Sequence, residues 1–132
     1  MLEIALIAVA VVASTPAHGV PDAGDCKAPQ TQADINACAG LEAATAQARL
    51  DRLYGRYRTR LRPEQKAMLA EAQRRWIASR ASWCDFVASG VEGGSVQPAV
   101  ISRCLAEVTA QRIKELERVA SCKEGDPSCP QP

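Results

Sequence analysis

The sequence predicts an all-α fold, an antiparallel three-helix bundle stapled by disulfides. Three observations predict it. Apolar residues recur at steps of three and four along three long stretches, and no stretch alternates as a strand would. Helix-starting and helix-stopping residues stand at the boundaries of those stretches. Six cysteines in a chain of 132 residues supply the staples.

The chain opens on an apolar run from Ile4 to Val12, followed by the small residues Ala13-Ser14-Thr15-Pro16-Ala17. That order reads as a secretory signal occupying residues 1–19, with cleavage after Ala17 or Gly19. The start carries Glu3 and no Lys or Arg, which departs from the usual basic start; the alternative reading is a buried N-terminal helix. The run is too short to span a bilayer. Cys26 stands too far from it for lipid attachment, so no stable membrane anchor is expected and the location reads as periplasmic or secreted.

The first helix begins at Thr31-Gln32-Ala33-Asp34, a capping box in which the hydroxyl binds a backbone N–H and the carboxylate reaches back. Ile35, Ala39, Ala43, Ala46, Leu50, Leu53, Tyr57 and Leu61 then share one face, small early and bulky late. A partner can therefore approach closely near Ala39 and Ala43 and must stand off near Leu53 and Tyr57. Pro63 suits the first position of a second helix, and Glu64 favours its positive end. Leu69, Ala72, Trp76, Trp83 and Val87 continue the apolar stripe, joined by Phe86, until Gly90. The short break between the first two helices implies a hairpin.

Gly90-Val91-Glu92-Gly93-Gly94-Ser95 is the flexible loop. Ser95 is the expected N-cap of the third helix, with Pro98 in its first turn. Ile101, Leu105, Val108, Arg112, Leu116 and Val119 follow at helical spacing; Arg112 interrupts the stripe, so a partner for it is expected. The domain thus spans residues 26–119, and a polar, proline-rich tail occupies 120–132. Trp76, Trp83, Tyr54, Tyr57 and Phe86 are the aromatic candidates for an otherwise alanine-rich core.

Helix register suggests how the cysteines pair. Cys84 late in the second helix faces Cys104 early in the third, Cys122 and Cys129 meet across a Gly-Asp-Pro turn, and Cys26 meets Cys38 if the chain doubles back. The main alternative joins Cys38 to another helix. No CxxC pair is present, so a metal site is not expected, nor is a cofactor. His18 is the single histidine and falls at the cleavage region. A domain without imidazole lacks Ser-His-Asp and Cys-His nucleophiles and the commonest general base, so it reads as a non-enzyme. Sixteen basic residues nearly balance fifteen acidic ones; losing residues 1–17 removes only Glu3 and leaves a net +2. Near-neutrality argues against a nucleic-acid partner.

A pattern now stands out. It runs Cys26, Thr31-Gln32-Ala33-Asp34-Ile35-Asn36-Ala37-Cys38, Leu53-Tyr54, Gln73-Arg74-Arg75-Trp76, Arg80, Cys84, Gly93-Gly94-Ser95, Cys104 and Arg112. It resembles the N-terminal domain of the bacterial LprI lysozyme-inhibitor family, over residues 26 to about 118. The resemblance implies an exported helical domain that binds and inhibits lysozyme. The sequence departs from the lipoprotein members in lacking a lipid-attachment cysteine, and Cys122 and Cys129 fall outside the shared pattern.

Three groups are candidates for binding. Trp76, Arg80 and Cys84 share one side of the second helix; they read as a hot-spot face or, structurally, as a core tryptophan, a cystine and an arginine tied to a carboxylate or helix-end carbonyls. Ser95 reads as a loop residue entering a lysozyme cleft, whose chemistry uses two carboxylates, or simply as the helix cap. Arg49, Arg52 and Arg56 form a ridge, with Arg58, Arg60 and Arg62 nearby, that suits cell-wall glycan, lipid headgroups or another exported protein, or is a solvated face. Many lysozymes are strongly basic, so lysozyme should avoid that ridge and use a separate acidic side carrying Asp51, Glu107, Glu115 and Glu117. A carboxylate hydrolase acting on cell-wall glycan is the least supported reading.

Overall fold

The computed structural model describes residues 25–123 and 125–130; the expected signal segment lies outside them. Helices α1 (Gln32–Thr59), α2 (Pro63–Ala88) and α3 (Gln97–Ala120) make up the domain, with short 3-10 turns at Asp25–Lys27 and Ser89–Val91. Thr31 caps α1 as a capping box: its hydroxyl accepts from the Asp34 N–H at 3.1 Å, and the Asp34 carboxylate accepts from the Thr31 N–H at 2.9 Å. Pro63 stands in the first turn of α2.

The chain runs up, down and up, which leaves α1 and α3 parallel. Asn36 donates to the Ser95 carbonyl at one end and Arg60 to the Ala120 carbonyl at the other. The closest helix approach is between α1 and α3, and α2 packs chiefly on α3. The partner admitted by the small residues of α1 is therefore α3: Ala39 and Ala99 are both buried near the loop end, where missing side-chain bulk lets backbones approach. Further along the bundle the core is bulky, with Leu50, Tyr57, Leu61, Ile113 and Leu116 packed against Leu53, Leu69 and Trp76. α2 turns back as the hairpin expectation requires, packs chiefly on α3, and reaches α1 through Arg80, which donates to Gln47.

Two expectations, one about α2 and one about the start of α3, need correction. Trp83 is 54% exposed and Phe86 68% exposed, so neither fills the core; Val87 is exposed as well. The buried positions of α2 are Gln73, Cys84 and Ala88. A stripe read at steps of three and four cannot distinguish a face packed on one neighbour from its exposed flank. Ser95 is likewise not the cap of α3. The N-cap position is Val96, with no side-chain cap, and the Gly93 N–H instead donates to the Gln97 side chain at 2.9 Å. Gly93 adopts a left-handed φ of 73°, which glycine takes without steric cost. A Cβ on Gly94 would sit 3.0 Å from the Val91 carbonyl, so a side chain there would force the turn to shift.

The disulfides are Cys26–Cys38, Cys84–Cys104 and Cys122–Cys129. The middle one bridges α2 and α3 beside the glycine loop, with Cys84 fully buried. Three disulfides suit an oxidising compartment. Among the described residues no helix is long and apolar enough to cross a membrane.

Candidate functional site

Trp76 and Arg80 are half-buried on the side of α2 that faces the other helices. The Arg80 guanidinium stacks over the Trp76 ring at 4.7 Å, and Arg112 approaches the same ring at 5.7 Å. One Arg80 nitrogen, Nη1, donates to Gln47 Oε1 of α1 at 2.6 Å and to Thr109 Oγ1 of α3 at 2.8 Å, so one residue of α2 ties all three helices. The expected carboxylate or helix-end partner is replaced by two neutral acceptors. Compensation comes at one remove, because Gln47 Nε2 donates to Asp51 at 2.7 Å. Burial lowers the Arg80 pKa and the Asp51 charge opposes that shift. The Arg80 Nε is buried with no partner among the described residues. The expected partner of Arg112 is present: its Nε donates to buried Gln73 at 3.3 Å and its Nη1 to Glu115 at 2.9 Å.

Gln47 and Thr109 do not figure in the sequence reading, and Gln73 figures only in the family pattern, with no partner assigned to it. Their signal was weak: each is a polar residue on a helical face that neighbouring positions already mark as inward.

The arginine ridge is partly committed to the fold. Arg49 bridges α1 to α3 through Glu117 at 2.9 Å, both side chains about half exposed. Arg52, Arg56, Arg58 and Arg62 are exposed and enter no ion pair among the described residues. The separate acidic side does not exist as expected. Glu117 pairs with Arg49 and Glu115 with Arg112, so these carboxylates interleave with the arginines. Glu71 is held by Arg74 and Arg75, which keeps its carboxyl below the usual range.

The overall charge balance conceals a segregation along the bundle. The Gln47–Arg80–Thr109 layer divides the molecule. On the side of the glycine loop, residues 26–47 and 81–109 carry five acidic side chains (Asp34, Glu42, Asp85, Glu92, Glu107) against Lys27 and Arg103. Beyond the layer, the described residues 48–79, 110–123 and 125–130 carry thirteen Lys and Arg against six Asp and Glu.

The loop side also carries the exposed aromatics. Trp83 and Phe86 form a tilted ring pair with centroids 5.7 Å apart. Trp83 and Val87 form one wall of a groove of about 570 Å³ between α2 and α3, completed by Val100, Arg103, Glu107 and Val108. Ser95 is exposed at the same end, its carbonyl pinned by Asn36. Among the described residues no group of three His, Cys, Asp or Glu side chains converges as a metal site would require.

Residues 24–116 match the family model described as lysozyme inhibitor LprI. An uncharacterized protein of Rhizobium meliloti (strain 1021) is 29% identical over 124 residues, covering 84% of this chain and 89% of that protein. No solved structure matches. The Gln47–Arg80–Thr109 layer and the exposed aromatic pair lie within the matched span, whereas Glu117 and the Cys122–Cys129 tail lie beyond it.

Proposed function

We propose that this chain, which belongs to the lysozyme inhibitor LprI family, is an exported binding protein that inhibits lysozyme by occluding it with the loop end of the bundle. The observation that carries this reading is the exposed aromatic pair Trp83–Phe86, set among acidic side chains on a helix end clamped by Cys84–Cys104. Exposed large aromatics on a small domain are costly in water, and tryptophan is enriched where interface energy concentrates. Asp85, Glu92 and Glu107 nearby complement a basic enzyme and speed its encounter. The clamp supplies rigidity, so little ordering entropy is lost on docking. Ser95 and Gly93-Gly94 stand at the rim, where a narrow backbone turn suits a cleft.

The test is turbidity clearing of bacterial cell walls by lysozyme with and without the purified, oxidised chain. Clearing should slow in proportion to inhibitor. Trp83→Ser and Phe86→Ser, both at exposed positions, should each weaken inhibition by roughly tenfold to thirtyfold, the range of a hot-spot loss of about 1.4–2 kcal/mol. They should leave the thermal transition in place. An undiminished clearing rate at large molar excess of the wild-type chain would sink the reading. Variants that inhibit as well as wild type would move the interface elsewhere.

A further inference from the structure

The end of the bundle opposite the glycine loop has features that lysozyme inhibition leaves unused. A groove of about 540 Å³ opens there between the end of α1, the start of α2 and the end of α3. Its walls are apolar: Tyr57, Leu61, Met68, Leu69 and Val119. Met68 is 72% exposed, although hydrophobic. Arg62 stands on the edge of the groove. Arg58 lies in the last turn of α1, and Lys66 near the start of α2. Arg118, in the last turn of α3, adds charge at the same end. Neither Arg58 nor Arg62 enters an ion pair among the described residues.

We propose that this basic end is a docking surface for a bilayer rich in anionic phospholipid. Apolar surface ringed by unpaired cations is what a membrane interface selects: the guanidinium groups meet phosphates while apolar side chains enter the acyl boundary. Charge complementarity is the deciding observation, since thirteen Lys and Arg stand against six Asp and Glu among the described residues of this half, Asp126 of the tail included. A soluble anionic glycan would use the charge equally well, but it offers nothing to Met68 and the apolar groove. Docking by this end leaves the acidic, aromatic end turned away from the surface.

The test is cosedimentation of the oxidised mature chain with vesicles of phosphatidylglycerol and phosphatidylcholine, against vesicles of phosphatidylcholine alone. Binding should appear only with the anionic vesicles and fall as salt rises. The double variant Arg58→Glu, Arg62→Glu should bind the anionic vesicles at least roughly thirtyfold more weakly, since each cation near an anionic surface contributes about 1 kcal/mol. Met68→Ser should weaken binding about fivefold without changing its salt dependence. These positions are exposed, so far-UV circular dichroism should remain as in wild type. Both variants should still inhibit lysozyme in solution, which separates this proposal from the preceding one. Equal binding to neutral vesicles, no binding to anionic ones, or indifference to the arginine reversal overturns the proposal. So does capture of soluble dextran sulfate by a chain that ignores the vesicles. Indifference to Met68→Ser overturns the role of the groove.

Discussion

Removing Arg80 should test whether one side chain holds three helices in register. Arg80→Ala deletes both hydrogen bonds from Nη1 and the stacking on Trp76, and leaves the buried Thr109 hydroxyl without its donor. Two bonds from a charged donor contribute about 1.5 kcal/mol each and the stacking about 1 kcal/mol. Relief of the unpartnered Nε returns about 1 kcal/mol. The expected net loss is therefore about 3 kcal/mol, a fall in Tm of at least about 12 °C for a domain of this size. Arg80→Met keeps an apolar stem over Trp76 and abolishes the desolvation of a cation, so it should lose less, about 2 kcal/mol. Urea unfolding of the disulfide-intact chain, followed by tryptophan fluorescence and far-UV circular dichroism, measures both. Arg80→Met combined with Thr109→Val should show a coupling of about 1 kcal/mol. An Arg80→Met variant as stable as wild type would refute the argument. Arg80 would then be a buried cation that the fold tolerates rather than needs.

The disulfides should differ in worth according to what they cross-link. Loop entropy assigns about 3.3 kcal/mol to Cys84–Cys104, whose partners are 20 residues apart. The paired serine variant should lose at least that in urea unfolding, because Cys84 is also fully buried. Serines in place of Cys122 and Cys129 should shift Tm by less than about 2 °C, since their 7-residue loop lies in an exposed tail. Exchanging Arg49 and Glu117 for alanines in a double-mutant cycle should return no more than about 0.5 kcal/mol, as expected of a half-exposed ion pair. The Asp126 carboxyl is held below its ordinary pKa, first by the Ser128 hydroxyl and then by the Ser128 N–H. Its folded value lies below its unfolded one, so its stabilising effect is present at neutral pH. That effect should be lost on acidification through the folded value, seen by NMR as release of the Ser128 amide while the bundle signals persist.

Local chemistry made the helix boundaries legible. Thr31 with Asp34, Pro63 with Glu64, and the glycines before α3 each act within a few residues, where the code is short-ranged. Register made the Cys84–Cys104 bridge readable, because two antiparallel helices joined by a short loop bring only certain positions together. Tertiary choices were harder. The small face of α1 announces a close partner without saying which, and it is α3 that takes that place. Trp83 and Phe86 show the same limit from the other side. Their spacing places them beside an inward stripe, and only the packing of α2 against α3 leaves them in water.

The candidate binding surfaces were hidden by averaging. A net charge near zero excludes little when opposite signs are sorted to opposite ends. Lengthwise sorting does not maximise the stability of an isolated bundle, for which interspersed charges and i,i+4 pairs are better. Among the described residues the basic half leaves Arg52, Arg56, Arg58 and Arg62 without ion pairs, although carboxylates of the same half pair with Arg49, Arg74, Arg75 and Arg112. At the other end two aromatic rings stay exposed on a helix fixed by a buried cystine. Both features lie on opposite sides of the layer that Arg80 ties together. If both proposals hold, a three-helix bundle with unlike ends, tied across its middle by Arg80, would present one end to each of two unlike partners.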